Sequence, residues 1–241
     1  MGHIIGVLGF RKVGARWVLS EEKKAERVCI SRELLEHFKK EGEDFLKKII
    51  TGDETWVHHY DPENKRQSVE YCHKESPQPK RFKTQASAGK VMLTVFWNSE
   101  CVVLADFHEK ETTINSQRYI EALTALKRRI ERTGIRNETL LQLDNARPHT
   151  IAATRDAMQR LDFSVLPHLP YNPDLAPSNF HLFPKLKERL KGQCFSCDED
   201  VKSAVRKWFQ KRNTNFFKDV FQKLMQCCRK RIEVHGDCVE E

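Results

Sequence analysis

The order of hydrophobic patterns along the 241-residue chain predicts an α/β fold, a mixed sheet with helices on both faces. Patterns typical of antiparallel strands come first, alternating strand and helix patterns follow, and helical patterns end the chain. Strands joined through a helix pair in parallel, so this order combines both kinds of pairing in one sheet. Hydrophobic residues make up 39% and charged residues 32%, which is typical of a folded domain rather than a disordered chain.

The first half of the chain predicts one long helix and four strands. Apolar residues recur at helical spacing over residues 20–45, with Ser20 as the helix start and Gly42 as a break point. A turn at 61–64 would join the first two strands into a hairpin. The four predicted strands span residues 49–60, 66–71, 91–97 and 101–108.

The second half predicts two further short strands and a helical end. The strands span 140–144 and 163–166, and helices are predicted at 116–132, at 150–161 and from about residue 180 onward. The last segment carries aromatic and aliphatic residues at its apolar positions, namely Trp208, Phe209, Phe216, Phe217, Phe221 and Leu224.

Positive charge is concentrated in two segments. The net charge is +8, yet residues 185–231 alone contain 14 Lys or Arg and five Asp or Glu. A second basic stretch covers residues 65–90, with seven Lys or Arg against two Glu. Such patches favour a polyanionic partner, although solvated helix faces explain the charge equally well.

Several functional classes are disfavoured by composition. No run approaches the roughly 18 apolar residues that a membrane helix needs, so no membrane association is expected. The first residues are too short and too poor in basic residues for a secretory signal, which predicts an intracellular protein with free thiols at its eight cysteines. Cys194 and Cys197 form one CxxC pair, but a structural zinc site would need a second pair at suitable spacing.

Two aspartates stand where strands would bring them together. Asp53 interrupts an otherwise apolar strand, and Asp144 ends a short one. A buried carboxylate is costly unless it is paired or binds metal, and ligands collect at the carboxyl ends of parallel strands. Each residue alone could cap a turn or pair with an arginine such as Arg147. Together, in a basic protein, they favour metal-dependent phosphoryl chemistry.

Three blocks of sequence resemble the signature motifs of the mariner family of DNA transposases, within the Tc1/mariner superfamily, in order and in spacing. The blocks are Thr51-Gly52-Asp53-Glu54-Thr55-Trp56-Val57, Asp144-Asn145-Ala146-Arg147-Pro148-His149-Thr150, and residues 166–183, which begin Leu-Pro-His-Leu-Pro-Tyr-Asn-Pro-Asp. The resemblance runs from about residue 10 to the C-terminus.

The resemblance implies an RNase H-like catalytic domain with a mixed five-stranded sheet. That domain would span residues 46–241, including the basic helical segment 180–241, after a linker and helical lead-in at 1–45. The helix-turn-helix modules that precede this linker in the family are expected to be absent.

The family pattern also supplies a third metal ligand. It places an aspartate after the second one with 34 residues between the two, and here that position is Asn179. Asp53, Asp144 and Asn179 would then hold two Mg²⁺ or Mn²⁺ ions, and the uncharged amide would weaken one of the two sites. Asp174, with 29 residues between it and Asp144, is an alternative third ligand in a proline-rich loop.

The implied activity is divalent-metal-dependent cleavage and strand transfer at transposon ends into TA targets, in the nucleus, by a homodimer bound to duplex DNA. No small-molecule cofactor beyond the metal is expected, and Trp17 is the candidate dimer contact.

For Arg147 and His149, phosphate contact, ligand orientation and turn stabilisation all remain open. Two alternatives are a domesticated, catalytically impaired module for DNA binding and dimerisation, and a ribonuclease H acting on RNA–DNA hybrids. The candidate DNA-binding residues are Lys80, Arg81, Lys83, Arg147, His149, Lys185, Lys187, Arg189 and Lys191.

Overall fold

The computed structural model describes residues 19–64, 67, 73, 84–108, 114–134, 139–167 and 176–237. Apart from Gln67, the predicted strand at 66–71 lies outside these residues, and the hairpin it would complete stays a prediction. Trp17, Lys80, Arg81, Lys83 and Asp174 also lie outside these residues, and their proposed roles stay predictions.

The predicted first helix is two helices, α1 (Glu21–Glu41) and α2 (Glu43–Lys48). The Ser20 hydroxyl accepts the Lys23 N–H at 3.4 Å and caps the start of α1. Gly42 adopts a φ of +63°, which side chains disfavour, and its N–H donates to the Phe38 carbonyl at 2.9 Å. The glycine therefore ends α1 and turns the chain into α2.

Five strands form one mixed sheet, as predicted, and their order is β3-β2-β1-β4-β5. β1 pairs antiparallel with β2, and β2 with β3, whereas β1–β4 and β4–β5 are parallel. β4 pairs only with residues 49–51 of β1, so among the described strands nothing extends the β4 side of the sheet along residues 52–58. The strands are β1 (Ile49–His58), β2 (Lys90–Trp97), β3 (Val102–His108), β4 (Leu140–Gln142) and β5 (Ser164–Val165).

The remaining helices cover the two faces of the sheet. The predicted basic helix from residue 180 is a π-helical turn (Ser178–Leu182) followed by three separate helices. No described helix is long and apolar enough to cross a bilayer. The helices are α3 (Ser116–Thr133), α4 (Arg147–Thr150), α5 (Ala152–Arg160), α6 (Phe183–Leu190), α7 (Asp198–Gln210) and α8 (Thr214–Glu233).

Two hydrophobic cores hold these layers together. The larger joins α1, α2 and α6–α8 to one face of the sheet, with fully buried Trp97 against the Phe221 ring at 5.3 Å. The smaller joins α3 to the other face around Phe96 and Leu123. The predicted domain boundary after residue 45 falls inside α2, whose Phe45 and Leu46 are both buried in the larger core. That division stays a prediction.

The substitution Gly236→Ala is expected to loosen the packing of the α8 C-terminus on α1. Gly236 has a φ of +85°, and an added Cβ would overlap the backbone carbonyl of Lys24. Backbone strain together with this overlap should cost about 2–3 kcal/mol of unfolding free energy. Gly134→Ala is the matched control, because Gly134 has a φ of +70° but no described heavy atom near its added Cβ. Urea unfolding should show a clearly smaller loss for the control, and equal losses would contradict the packing argument.

Candidate active site

Asp53 lies in the middle of β1, the central strand, with 7% of its surface exposed. One carboxylate oxygen accepts the Glu54 N–H at 2.8 Å. Burial is the largest cause that raises the pKa of Asp53 to about 7, and the neighbouring charges of Glu54 and Asp144 contribute to this rise against the effect of the hydrogen bond. A bound cation would stabilise an ionised carboxyl group in this setting, because it neutralises the buried charge.

Asp144 lies two residues beyond the end of β4, in the loop that leads to α4. Its Oδ1 accepts the Ala146 N–H at 3.0 Å and lies 2.7 Å from Nδ1 of His149. Because β4 runs parallel to β1, the chain leaves the sheet beside Asp53, and the two carboxylates interact electrostatically. The structure thus brings together the two aspartates that the strand patterns indicated.

His149 is a buried bridge between two carboxylates. Its ring is 4% exposed, with Nδ1 facing Asp144 and Nε2 lying 3.4 Å from Oε1 of Glu54. The Glu54 contact has an ion-pair distance but not the geometry of a hydrogen bond. Burial lowers the pKa of His149, but the contacts with Asp144 and Glu54 outweigh it and raise the pKa to about 10. Of the roles left open by sequence, ligand orientation fits this position, and direct phosphate contact does not.

Two residues near the site were missed by the sequence analysis. The Tyr119 ring lies 4.1 Å from the His149 ring, centroid to centroid, and its buried hydroxyl has no hydrogen-bond partner among the described residues. Burial, with the charges of Glu54, Asp144 and Asp53, raises the pKa of Tyr119 well above its ordinary value. Tyr119 belongs to the apolar stripe of α3, and nothing in that pattern marks it. Glu54 directly follows Asp53, which was the available signal.

His149→Gln is expected to destabilise the metal-free protein by about 2 kcal/mol at pH 7, because it leaves the carboxylates of Asp144 and Glu54 without their cation. The folded pKa of about 10 exceeds the ordinary value of 6.5. The stabilisation by His149 is therefore complete below pH 6.5 and is lost as pH rises toward 10. Thermal unfolding in a chelator should show a difference between variant and wild type that shrinks over this range. A constant difference would contradict the ion pair, and His37→Gln on α1 is the control.

Asn179 lies in the π-helical turn that precedes α6. Its neighbour Ser178 is fully buried and accepts a hydrogen bond at 2.9 Å from the Trp97 indole of β2. Asn179 itself is exposed, and its N–H donates to the Ala176 carbonyl at 2.9 Å. Single π turns are frequent at functional sites. Here the turn is fastened to the sheet while the amide side chain faces outward.

A cavity of about 500 Å³ joins Asn179 to the second half of β1. Glu54, Trp56 and His58 form one wall, and Asn179 and Lys187 belong to the other. It borders the part of β1 that β4 does not cover. The predicted third ligand and one predicted phosphate contact therefore line the same opening, whose wall also includes Glu54, the residue after Asp53.

The donor set fits divalent cations, though weakly. Asp53, Asp144 and Asn179 offer oxygen atoms, which hard cations such as Mg²⁺ prefer. Among the residues that the structure describes, no cluster of three or more His, Cys, Asp or Glu side chains could hold a metal. An amide at the third position would contribute an oxygen but no charge.

Comparison with known proteins identifies the family. A family model described as a transposase with a partial DDE domain matches residues 61–139. The Mos1 mariner transposase of Drosophila mauritiana is 32% identical over 240 residues, which cover 95% of this chain and 67% of that protein. This chain belongs to the mariner transposase family. The expectation drawn from the sequence motifs is confirmed.

Solved structures of mariner Mos1 transposase confirm the RNase H-like fold. The catalytic domain matches with a TM-score of 0.76 and 28% identity, covering 94% of this chain and all of that one. A paired-end complex with Mn matches at 0.84 and 32% identity, covering 96% of this chain and 68% of that one. Its counterpart with Mg matches at 0.82 and 31% identity, covering 98% and 70%.

The human histone-lysine N-methyltransferase SETMAR is a second relative, 30% identical over 229 residues. The match covers 92% of this chain but only 33% of SETMAR. The mariner chain described here thus spans about two thirds of Mos1 transposase and one third of SETMAR.

The described candidates for DNA contact in this mariner domain lie on α4, on α6 and just beyond α6. Arg147, Lys185 and Arg189 are exposed, whereas Lys187 is half-buried at the Asn179 cavity. Lys191 is half-buried and donates to Asn64 Oδ1 at 2.9 Å, which ties the end of α6 to the chain after β1. Whether these residues bind DNA stays a prediction.

Proposed function

We propose that this chain cleaves DNA and transfers strands at mariner transposon ends into TA targets, with activity weakened by Asn179. The observation that carries the proposal is the pairing of a desolvated carboxylate, Asp53, with Asp144 at the end of the parallel neighbour strand. Family membership supports the reaction class, and the related complexes with Mn and Mg support divalent metal as the cofactor.

Each residue has a distinct task in this proposal. Asp53 and Asp144 would hold the two cations, and bound cations would supply a more nucleophilic water and neutralise the charge on the leaving oxygen. Burial of Asp53 strengthens its attraction for a cation, because a desolvated carboxylate is poorly stabilised otherwise. The Ala146 N–H and the His149 ring fix the Asp144 carboxylate. Asn179 would contribute a neutral oxygen from the wall of the cavity that Glu54 also lines.

The partner in this proposal is duplex DNA, bound by a homodimer in the nucleus. Lys185, Lys187 and Arg189 follow the Asn179 turn directly and would contact the phosphates of DNA entering the cavity along β1. Lys80, Arg81 and Lys83 would extend this contact, and Trp17 would join the subunits.

Nicking of supercoiled plasmid tests the activity directly. Relaxed product should form only with added Mg²⁺ or Mn²⁺, and Mn²⁺ should be preferred because it tolerates an amide ligand better. An RNA–DNA hybrid of the same sequence should be cleaved more slowly than the duplex. No nicking with either metal would overturn the enzymatic proposal, and faster hybrid cleavage would favour the ribonuclease alternative.

A binding module without catalysis is the second candidate, and the neutral Asn179 is the observation that favours it. Such a module would still bind DNA and would pair with a second copy, yet no product would form with either metal. Binding and nicking measured on the same preparation separate the two functions.

Affinity for duplex DNA should fall steeply with salt, on the order of a hundredfold between about 50 and 200 mM, because phosphate contacts release counterions. The Lys185→Gln/Arg189→Gln variant should lower the slope of log K against log [salt] by roughly two. Lys39→Gln/Lys40→Gln, which removes the same charge from exposed positions of α1, should leave the slope nearly unchanged. A wild-type affinity that is flat with salt would contradict electrostatic binding.

A further inference from the structure

Three buried polar atoms near Asp144 have no hydrogen-bond partner among the described residues. They are Oε1 of Glu54 on β1, Nε2 of His149 on α4 and the hydroxyl of Tyr119 on α3. Buried polar groups nearly always have a partner in folded proteins, so each exception requires an explanation. The ion-pair distance of 3.4 Å between Glu54 and His149 accounts for two of these atoms. The Tyr119 hydroxyl remains.

This hydroxyl makes the metal-free protein less stable. Tyr119 is 1% exposed, and its ring contacts the rings of Phe96 and His149. A phenylalanine would make the same ring contacts without burying a hydroxyl that lacks a partner. Local departures from the most stable residue are expected at functional sites. The position of the hydroxyl beside the proposed metal site therefore suggests a role in that site.

Glu54 is the carboxylate that the hydroxyl can serve. Burial is the main cause that raises the pKa of Tyr119, and among the neighbouring charges Glu54 contributes more than either aspartate of the proposed metal site. Because charge effects weaken with distance, this order indicates that the hydroxyl lies nearest to Glu54. Thr94 is opposite Glu54 on β2, but its hydroxyl already lies 3.0 Å from Nε2 of His108.

The need for such a donor arises when Asp144 binds a cation. In the metal-free protein the His149 ring serves both Asp144, at 2.7 Å, and Glu54. Asp144 cannot serve the ring and a divalent cation equally well, because both are positive and repel each other. Glu54 then requires a donor that adds no further positive charge beside the metal. A neutral hydroxyl meets this requirement, whereas a lysine or arginine would not.

We propose that Tyr119 is a positioning residue of the metal site, whose hydroxyl donates a hydrogen bond to Glu54 when the two aspartates bind divalent cations. The inference rests on the proposed function, which assigns the cations to Asp53 and Asp144. In the metal-bound protein the hydrogen bond would hold Glu54, the residue after Asp53, in place. Tyr119 thus lowers the stability of the metal-free protein and raises its affinity for metal.

Tyr119→Phe tests this role, because it removes the hydroxyl and keeps the ring. Thermal unfolding in a chelator at pH 7 should show a melting temperature about 2–4 °C above that of the wild type. The affinity for Mn²⁺ should fall about tenfold, at the lower end of the loss expected for a hydrogen bond to a charged group. This affinity is measured without DNA, from the electron paramagnetic resonance signal of the free ion.

Tyr60→Phe is the matched control, because the Tyr60 hydroxyl lies 3.5 Å from Oγ1 of Thr84 in an exposed contact. Its melting temperature and Mn²⁺ affinity should both stay near those of the wild type. Glu54→Gln tests whether the hydroxyl acts through Glu54. In the Glu54→Gln background, Tyr119→Phe should change the Mn²⁺ affinity by less than about twofold, because the charged acceptor is gone.

The result expected for Tyr119→Phe is a higher melting temperature in chelator together with a weaker Mn²⁺ affinity. Wild-type affinity in this variant would overturn the proposal, as would an equal loss with and without the Glu54 charge. A lower melting temperature in chelator would also overturn it, because the hydroxyl would then support packing.

Plasmid nicking and Mn²⁺ binding by the wild type separate this proposal from the one it rests on. If the wild type binds Mn²⁺ and nicks plasmid while Tyr119→Phe keeps its affinity, only the role of Tyr119 is wrong. If the wild type neither binds Mn²⁺ nor nicks, the proposed function is wrong and the role of Tyr119 fails with it.

Discussion

Asp144→Ala and Asp53→Ala are each expected to abolish metal-dependent plasmid nicking, a loss of at least about a thousandfold, while the protein stays folded. Each substitution removes a charged oxygen ligand from the proposed metal site. The measurement is the initial rate of relaxed-circle formation in Mg²⁺ and in Mn²⁺. Asp156→Ala, at an exposed position of α5, is the control and should nick at the wild-type rate.

Although Asp53→Ala is expected to lose activity, it is expected to make the folded protein more stable in metal-free buffer at neutral pH. The folded pKa of about 7 lies above the ordinary value of 3.8, so ionisation of Asp53 opposes folding increasingly as pH rises from about 4 to 7. The unfolding free energy of Asp53→Ala minus that of the wild type, both metal-free, should therefore be larger at neutral pH than at pH 4. Wild-type nicking by either alanine variant would show that the metal site lies elsewhere.

Asn179→Asp is expected to raise the nicking rate in Mg²⁺, on the order of tenfold and more than any other single substitution. The two side chains have nearly the same shape, and Asn179 is exposed, so the change requires no repacking. What it adds is a negative charge at the cavity that Glu54, the residue after Asp53, also lines. The ratio of the Mn²⁺ rate to the Mg²⁺ rate should fall in the variant, since a full carboxylate suits Mg²⁺.

Metal-dependent stability provides a second measurement of the same substitution. The added carboxylate repels its neighbours in metal-free buffer, so the variant should unfold at a slightly lower temperature and gain more from added Mg²⁺. Asn213→Asp is the matched control, because aspartate caps a helix as well as asparagine and adds the same charge at the start of α8. An unchanged Mg²⁺ rate would place the defect elsewhere, and Asp174→Asn would then test the alternative ligand.

The sheet and the two aspartates could be predicted because they depend on local patterns. A short run of apolar and β-favouring residues predicts a strand. A polar residue at the end of that strand indicates the edge of the sheet where ligands collect. The predicted strand at 140–144 ends two residues early, at Gln142, and this places Asp144 in the loop rather than on the strand. Strand ends are decided by pairing with neighbours, which a single segment does not reveal.

The contacts around the aspartates could not be predicted in the same way. His149, Glu54 and Tyr119 come from three separate elements, α4, β1 and α3, and meet only after the sheet and α3 have packed. A histidine in a predicted loop of a basic chain is expected to be exposed, and only the packing of these elements buries His149. The π-helical turn was also hidden, because its sequence continues into α6 without a break signal.

The hydrogen bond from Trp97 to Ser178 bears on the history of this chain. It anchors the residue next to Asn179 inside the hydrophobic core, so selection for a stable fold alone preserves the location of the third ligand. Loss of the carboxylate therefore need not be followed by drift of the backbone that carried it. Asparagine and aspartate codons differ by a single base, and the backbone position that would carry the aspartate is kept by the fold. A single base change would therefore restore a carboxylate at the position where we propose that the amide weakens the metal site.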